Sequence, residues 1–272
     1  GCDRRLRCGL FLRPPILGGP ARGGKTLEGA KEMKGPILIQ GAMDVETDRT
    51  AGRLEGRTEE TMAGFRFWRG RYRGLELVVS RTEVGTISAA AATALGIQRF
   101  SPILVLNQGT AGAHRSDLHV GDVVVGRTCV DIHGALMPPR GAGEGTDPTA
   151  WRLWDFGADT SPVILEGDFH WADRFESAPY ARGRVIPGRL GTGDVFNREY
   201  DRISWLREQA GEDCEDMESL AAYRICQRFG VPCLGLRVIS NNELTGEVYR
   251  RTVGEDLQDF ILAVLDHWQD KI

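Results

Sequence analysis

Ile37-Leu-Ile-Gln-Gly-Ala-Met-Asp-Val-Glu46 changes character within ten residues. Residues 37–40, entered through the breaker Gly35-Pro36, form a short apolar run that reads as a buried strand. Gly41 and Ala42 are small enough for a tight turn. Asp44 and Glu46 then fall in a first helical turn, where the macrodipole favours acids. Two further runs end in the same manner: residues 103–106 lead into Asn107-Gln-Gly-Thr-Ala-Gly112, and residues 234–239 into Ser240-Asn241. Buried strands separated by helical stretches predict an α/β fold, a three-layer α/β/α sandwich around a mixed, mostly parallel central sheet. Such sheets gather ligands outside the carboxyl ends of their strands, so these segments are expected on one rim.

Residues 65–71 and 75–80, separated by Tyr72-Arg-Gly74, predict a hairpin. Residues 89–95 predict an Ala-rich helix capped by Ser88, and residues 122–125 continue the sheet. Residues 213–229 read as one helix, with Met217, Leu220, Ala221, Ile225 and Phe229 on one face and Gly230 and Pro232 as its stop. Leu257, Phe260, Ile261, Val264, Leu265 and Trp268 give the apolar stripe of a C-terminal helix. Residues 134–182 show no steady period and read as an insertion. Their tryptophans Trp151, Trp154 and Trp171 suit core or interface packing, or a lid over a pocket. Residues 1–35, rich in Gly, Arg and Pro, are expected to be a mobile extension ahead of a single domain spanning 36–272.

A chain of 272 residues can bury one large core, and 41% hydrophobic with 26% charged residues is a globular composition rather than a disordered one. A net charge of −4 argues against nonspecific binding to nucleic acid or to an anionic membrane. No apolar run approaches the roughly 20 residues of a membrane span. The start of the chain has no secretory apolar segment, so a cytoplasmic location is expected, with export after removal of a signal left open. The six cysteines form no C-x-x-C and no metal-ligand spacing, and four of them sit in or beside apolar segments as reduced core thiols would. His114 and His119, five residues apart, make a weak metal pattern. They are expected at the surface, or with one of them near a ligand, and neither a metal nor a cofactor is implied.

Gly19-Pro-Ala-Arg-Gly-Gly24-Lys25-Thr26 satisfies the phosphate-loop pattern, in which backbone amides cradle phosphates, the Lys reaches them and the Thr holds Mg²⁺. Its context is wrong. The strand before it would have to be Ile16-Leu17, directly after Pro14-Pro15, and no apolar strand ends in an Asp placed for the metal.

Taken in order, Gly41-Ala-Met43 with Glu46, Thr110-Ala111-Gly112, Gly193-Asp-Val-Phe196, Met217-Glu218 and Ile239-Ser240-Asn241 resemble the nucleoside phosphorylase/nucleosidase superfamily. The nearest likeness is to 5′-methylthioadenosine/S-adenosylhomocysteine nucleosidases, over roughly residues 36–133 and 183–267. The resemblance implies hydrolysis of a purine nucleoside's N-glycosidic bond, without metal or cofactor, by a homodimer. Such chemistry needs a base for water, a grip on the sugar and a donor to the departing purine. Glu46 stands at the family's base position, although an acid in a first helical turn is also what solvent would leave there. Met217 and Glu218 match the pair beneath the ribose, whose hydroxyls suit a two-oxygen acceptor; Met217 equally fits a core face. The resemblance places Ala42, Thr110, Ala111, Gly112 and Ser240 around the substrate and Phe196 against the purine, and Phe196 also suits plain core filling. Glu215 and Asp216 read as solvated acids.

Asn241 is the departure. The family's nucleosidases carry Asp there, protonating purine N7 as the base leaves. An amide hydrogen-bonds N7 without giving a proton, and lost general-acid help typically costs about 10²–10⁴-fold. Phosphorylases acting on 6-oxopurines use Asn in that role, so the resemblance leaves two bases open, adenine of the methylthioadenosine type or a 6-oxopurine. A register shift of one residue would put Asn242 there instead. Hexameric phosphorylases carry Arg where this chain has Glu83, two residues before Gly85, and Glu83 and Glu46 would both repel phosphate. Water is therefore the expected nucleophile; Arg81 keeps phosphorolysis open, and loss of the Asp keeps open a non-catalytic nucleoside binder.

Overall fold

The computed structural model describes residues 35–154 and 161–267. The phosphate-loop-like residues 19–26, the extension to residue 34, Cys2, Cys8 and Trp268 lie outside the described residues. The chain runs β1 (Ile37–Gly41), α1 (Asp44–Gly52), β2 (Glu55–Met62), β3 (Phe65–Tyr72), β4 (Leu75–Arg81) and α2 (Thr86–Phe100). It continues through β5 (Leu104–Ala113), β6 (Val123–Asp131), the short β7 (Ala135–Leu136) and β8 (Arg152–Leu153), β9 (Ile164–Glu166) and α3 (Phe169–Ser177). β10 (Val185–Thr192), α4 (Tyr200–Ala210), β11 (Cys214–Asp216), α5 (Ser219–Phe229), β12 (Cys233–Asn241) and α6 (Val253–Asp266) complete it.

The expected α/β architecture is present: a mixed sheet in the order β11-β10-β6-β12-β5-β1-β4-β3-β2, with β9 added to β6. β1 is parallel to β4 and β5, and β12 is parallel to β5. The sheet also closes on itself, because β11 pairs with β10 on one side and, antiparallel, with the end of β5 on the other. Strands β5, β12, β6, β10 and β11 thus form a ring; the carboxyl ends of the parallel strands β1, β5 and β12 share one rim, while β10 and β11 run antiparallel to β5 and β12. One apolar layer packs the sheet against α1, α3 and α6, and a second against α2 and α5. Cys129, Cys214, Cys226 and Cys233 are free thiols in the buried interior.

Three expected elements differ in extent, each because a partner distant in sequence intervenes. The helix expected over 213–229 begins only at Ser219, and residues 214–216 are strand β11. Asp216 Oδ1 accepts the N–H groups of Glu218 and Ser219, both at 2.8 Å, and so caps α5 from outside it. Met217 therefore precedes the helix, and Phe229 at its far end is exposed. The helix expected from Ser88 begins at Thr86, whose N–H is accepted by Asp194 at 2.8 Å. Gly85 turns the chain there at φ 101°, a conformation that favours glycine. The small residues 107–112 are strand rather than loop, paired with β12 along one edge and with β11 at the end of the other. Within residues 134–182, β9 extends the sheet and α3 buries Trp171 and Phe175, while Trp151 and Trp154 are half-buried.

The C-terminal stripe packs as its spacing requires, with Leu257, Phe260, Ile261, Val264 and Leu265 all buried. Phe260 meets Phe175 edge-on at 5.9 Å and Tyr180 at 4.9 Å between ring centroids. Phe260→Ala is expected to cost about 3–5 kcal/mol of stability, the range for emptying a buried aromatic site. Denaturant unfolding measures it, and a loss under about 1 kcal/mol would show that α6 is not a core element.

Candidate active site

Glu46 lies in the first turn of α1 and is buried. Its Oε2 accepts the N–H groups of Ala42 (2.9 Å) and Met43 (3.1 Å), closing the open N-terminus of the helix. Its Oε1 accepts from the N–H (2.8 Å) and the hydroxyl (3.1 Å) of Thr110 in β5. The carboxylate thus bridges the turn after β1 to the neighbouring strand. Glycine makes room for it, since a Cβ on Gly109 would lie 2.8 Å from Oε1. Gln258 of α6 fixes the helix from behind, accepting from Thr50 N at 2.9 Å and donating to Val45 O at 2.7 Å.

Beside Glu46 lies a cavity of about 300 Å³. Ala42, Glu46, Thr110, Ala111, Gly112, Phe196, Met217, Glu218 and Ser240 all line it, together with Met43, Val84, Val195, Glu215, Asp216 and Tyr249. Of the residues expected at the site only Asn241 stands just behind the wall, buried against Gly112, whose missing Cβ would sit 3.4 Å from Asn241 Nδ2. Ser240 Oγ is 3.0 Å from Asn241 Oδ1 and 3.1 Å from Ala111 O. Asn242 faces away, donating to the carbonyls of Arg115 and Leu118, so Asn241 is the amide at the site. Phe196 is no core filler: it is 54% exposed at the cavity mouth. None of Trp151, Trp154 and Trp171 lines the cavity.

The acids require counter-charge, and sequence reasoning missed its source. Arg237, 1% exposed in the middle of β12, has Nε 3.2 Å from Asp216 Oδ2 and Nη2 3.9 Å from Glu218 Oε2. It donates to Asn107 O (3.0 Å) and Asn107 Oδ1 (2.5 Å). The available signal was a charged residue inside an otherwise apolar strand, which must be paired if it is buried at all. Asp216, expected in solvent, is buried instead, because it meets both this guanidinium and the amides that start α5. Glu218 accepts from Gly85 N at 3.0 Å. Burial pushes its carboxyl up to about 8; Arg237 opposes the rise, and the charges of Asp216 and Glu46 add to it.

Glu215 and His114, both expected near the surface, are also buried. His114 Nδ1 is 2.8 Å from Glu212 Oε1, and its Nε2 is 3.3 Å from Glu215 Oε2. Burial alone would lower this imidazole, but the two carboxylates outweigh it and hold the group up at about 9. His119 is exposed and pairs with Glu247. Arg81 packs over Trp68 and reaches Asp48 and Thr47, apart from the cavity lining. Among the described residues no Lys, Arg or His lines the cavity.

An α/β sheet with buried carboxylates and small residues around one cavity at its strand ends defines a small-ligand enzyme site. Residues 36–266 match the model of the phosphorylase superfamily, and the chain belongs to that family. It is 29% identical over 245 residues to the 5′-methylthioadenosine/S-adenosylhomocysteine nucleosidase of Geobacillus kaustophilus, covering 88% of this chain and 99% of that one. The nucleosidase of the same name from Colwellia psychrerythraea, solved in complex with adenine, shares the fold with a TM-score of 0.70 at 23% identity, over 85% of this chain and 95% of that one. The futalosine hydrolase of Helicobacter pylori does so with a TM-score of 0.71 at 22% identity, over 87% of this chain and all (100%) of that one. No helix among the described residues is long and apolar enough to cross a membrane.

The raised groups fix a sign for pH dependence. His114 binds its proton more tightly folded (about 9) than at its ordinary 6.5, so its stabilisation is full below 6.5 and is lost as pH rises through 9. Glu218, raised from 4.5 to about 8, also lowers stability as pH rises, but only up to about 8. Melting temperature is expected to keep falling above pH 8, and Glu212→Gln to flatten that upper part of the curve. An unaltered upper slope in the variant would remove His114 as its cause.

Proposed function

We propose that this chain hydrolyses the N-glycosidic bond of a purine nucleoside, releasing free base and a ribose derivative. The observation that carries the proposal is Glu46, a buried carboxylate aimed by four hydrogen bonds at the wall of a cavity that also holds Glu218. In the proposed pose Glu218 accepts from the ribose hydroxyls and Met217 floors the sugar. Phe196 stacks on the purine, and Ala42, Thr110, Ala111, Gly112 and Ser240 wall the ring. Glu46 takes a proton from water beneath C1′ and stabilises the oxocarbenium-like charge that develops there. Asn241 meets the base at N7 and the substituent on C6. The cavity lining, acidic and without a cationic side chain among the described residues, favours water over a phosphate dianion as nucleophile.

The relatives' names, methylthioadenosine/S-adenosylhomocysteine nucleosidase and futalosine hydrolase, support a nucleosidase and leave the base and the 5′ group to be read from this chain. We also propose a homodimer. Val84, Val195, Phe196 and Tyr249 are apolar, exposed and on the cavity rim, where a second copy would cover them and the 5′ end of the substrate.

The direct test is chromatography of nucleoside incubations with and without phosphate. Free base released without phosphate is expected, and release only with phosphate would replace hydrolysis by phosphorolysis. Glu46→Gln is expected to lower turnover by about 10²–10⁴-fold. Its amide would face N–H donors on one side, so a stability loss of about 1–3 kcal/mol should accompany the change. Full activity in that variant would remove Glu46 from the mechanism. Asn241→Asp restores a group able to protonate N7 and should raise turnover of adenine nucleosides by about 10²-fold or more; no gain would show that base protonation does not limit the reaction.

A further inference from the structure

Glu215 has no part in the mechanism above, yet it is a buried carboxylate on the cavity wall. It enters from β11 directly opposite Gly112 of β5, and a Cβ on Gly112 would lie 3.6 Å from Glu215 Cγ and 3.4 Å from Asn241 Nδ2. Glu215 and Asn241 therefore flank one glycine, at the end of the cavity where the base is proposed to sit. The placement of Glu215 is built rather than incidental. Its Oε1 accepts the backbone N–H of Asn197 at 2.8 Å, and its Oε2 accepts Asn197 Nδ2 at 2.6 Å. Behind it stands the fully buried His114, itself backed by Glu212, a cation spent on holding a carboxylate at a ligand cavity.

The two residues differ in what they can present. An amide turns over to offer either N–H or C=O, so Asn241 suits an O6 or an N6 substituent equally well. A carboxylate offers acceptors alone. With Asn241 at N7 and C6, the purine edge left for Glu215 is N1–C2. A 6-oxopurine carries a proton on N1, and guanine adds a 2-amino group. Adenine has a bare lone pair on N1, which a carboxylate repels. The backbone N–H of Asn197, next to Phe196, is already taken by Glu215 and is not free to donate to a base.

We propose that Glu215 is the specificity-determining residue for the base and that it selects 6-oxopurine nucleosides over adenine nucleosides. This rests on the purine site proposed above, deepening it from a class of bond to a class of base. An edge contact of this kind favours the right base over the wrong one by a factor on the order of 10 to 100.

Free-base binding tests it apart from catalysis. Calorimetric titration of the protein with hypoxanthine, guanine and adenine is expected to give 6-oxopurines at least about tenfold tighter binding. The kcat/KM ratio of inosine to adenosine should show the same preference. Glu215→Gln, whose amide tolerates either edge, should bring both ratios towards one. Adenine binding as tightly as hypoxanthine in the unaltered protein overturns the inference, while nucleoside hydrolysis without phosphate would still stand. A preference that persists in a folded Glu215→Gln protein also overturns it, since another group would then be reading the edge. A base preference with no hydrolysis of any nucleoside upholds Glu215 and overturns the hydrolase. If the variant does not fold, the ratio in the unaltered protein decides alone, and absence of binding by every base overturns the inference about Glu215, while chromatography of the nucleoside incubations decides hydrolysis separately.

Discussion

One guanidinium makes the acidic end of this molecule possible. Arg237 lies inside the sheet at 1% exposure, against Asp216 and Glu218 and within electrostatic reach of Glu46. Burial works against its charge, and these carboxylates more than compensate, so its proton is held more firmly than usual. The dependence is mutual: an unpaired buried ion costs several kcal/mol, and removing one partner strands the others. Even with Arg237 in place, the balance leaves Glu218 raised to about 8. Crowding by its acidic neighbours and burial together keep that carboxyl raised against the pull of the guanidinium.

The rest of the fold can be understood as the means of delivering that charge balance to one point. β12 carries Arg237 through the interior while its last residues, Ser240 and Asn241, stay buried, the first lining the cavity and the second just behind its wall. β5 supplies Asn107 to anchor the guanidinium and, three residues on, Thr110 to anchor Glu46. Asp216 joins two functions, meeting Arg237 with one oxygen and starting α5 with the other, so the helix cap and the ion pair cannot be separated. The closed ring makes these coincidences structural: pairing of β11 with both β10 and β5 brings Glu215, Asp216 and Gly112 together. A second buried cation, His114, repeats the arrangement with Glu212 and Glu215.

What the sequence by itself determined was local in origin. The hairpin, the C-terminal helix and the buried strands follow from periodicity, because which face is apolar depends only on neighbours a few residues away. The turn that places Glu46 follows from Gly41 and Ala42, and the segments that end β1, β5 and β12 lie together because these strands are parallel neighbours; Phe196, Met217 and Glu218, which follow the oppositely running β10 and β11, join them only through closure of the ring. Tertiary structure alone decided the state of the polar residues in between. Glu215, Asp216 and His114 look like surface residues in any window of sequence, and Arg237 like an oddity in a strand. Their burial depends on partners 21 to 101 residues away that offer opposite charge at about 3 Å, and a charge leaves water only when such partners exist. The start of α2 at Thr86 and of α5 at Ser219 is set in the same way, by acids that reach a helix end from outside it. Periodicity carries no record of such long-range pairing, whereas the apolar pattern, being its own partner, is written along the chain.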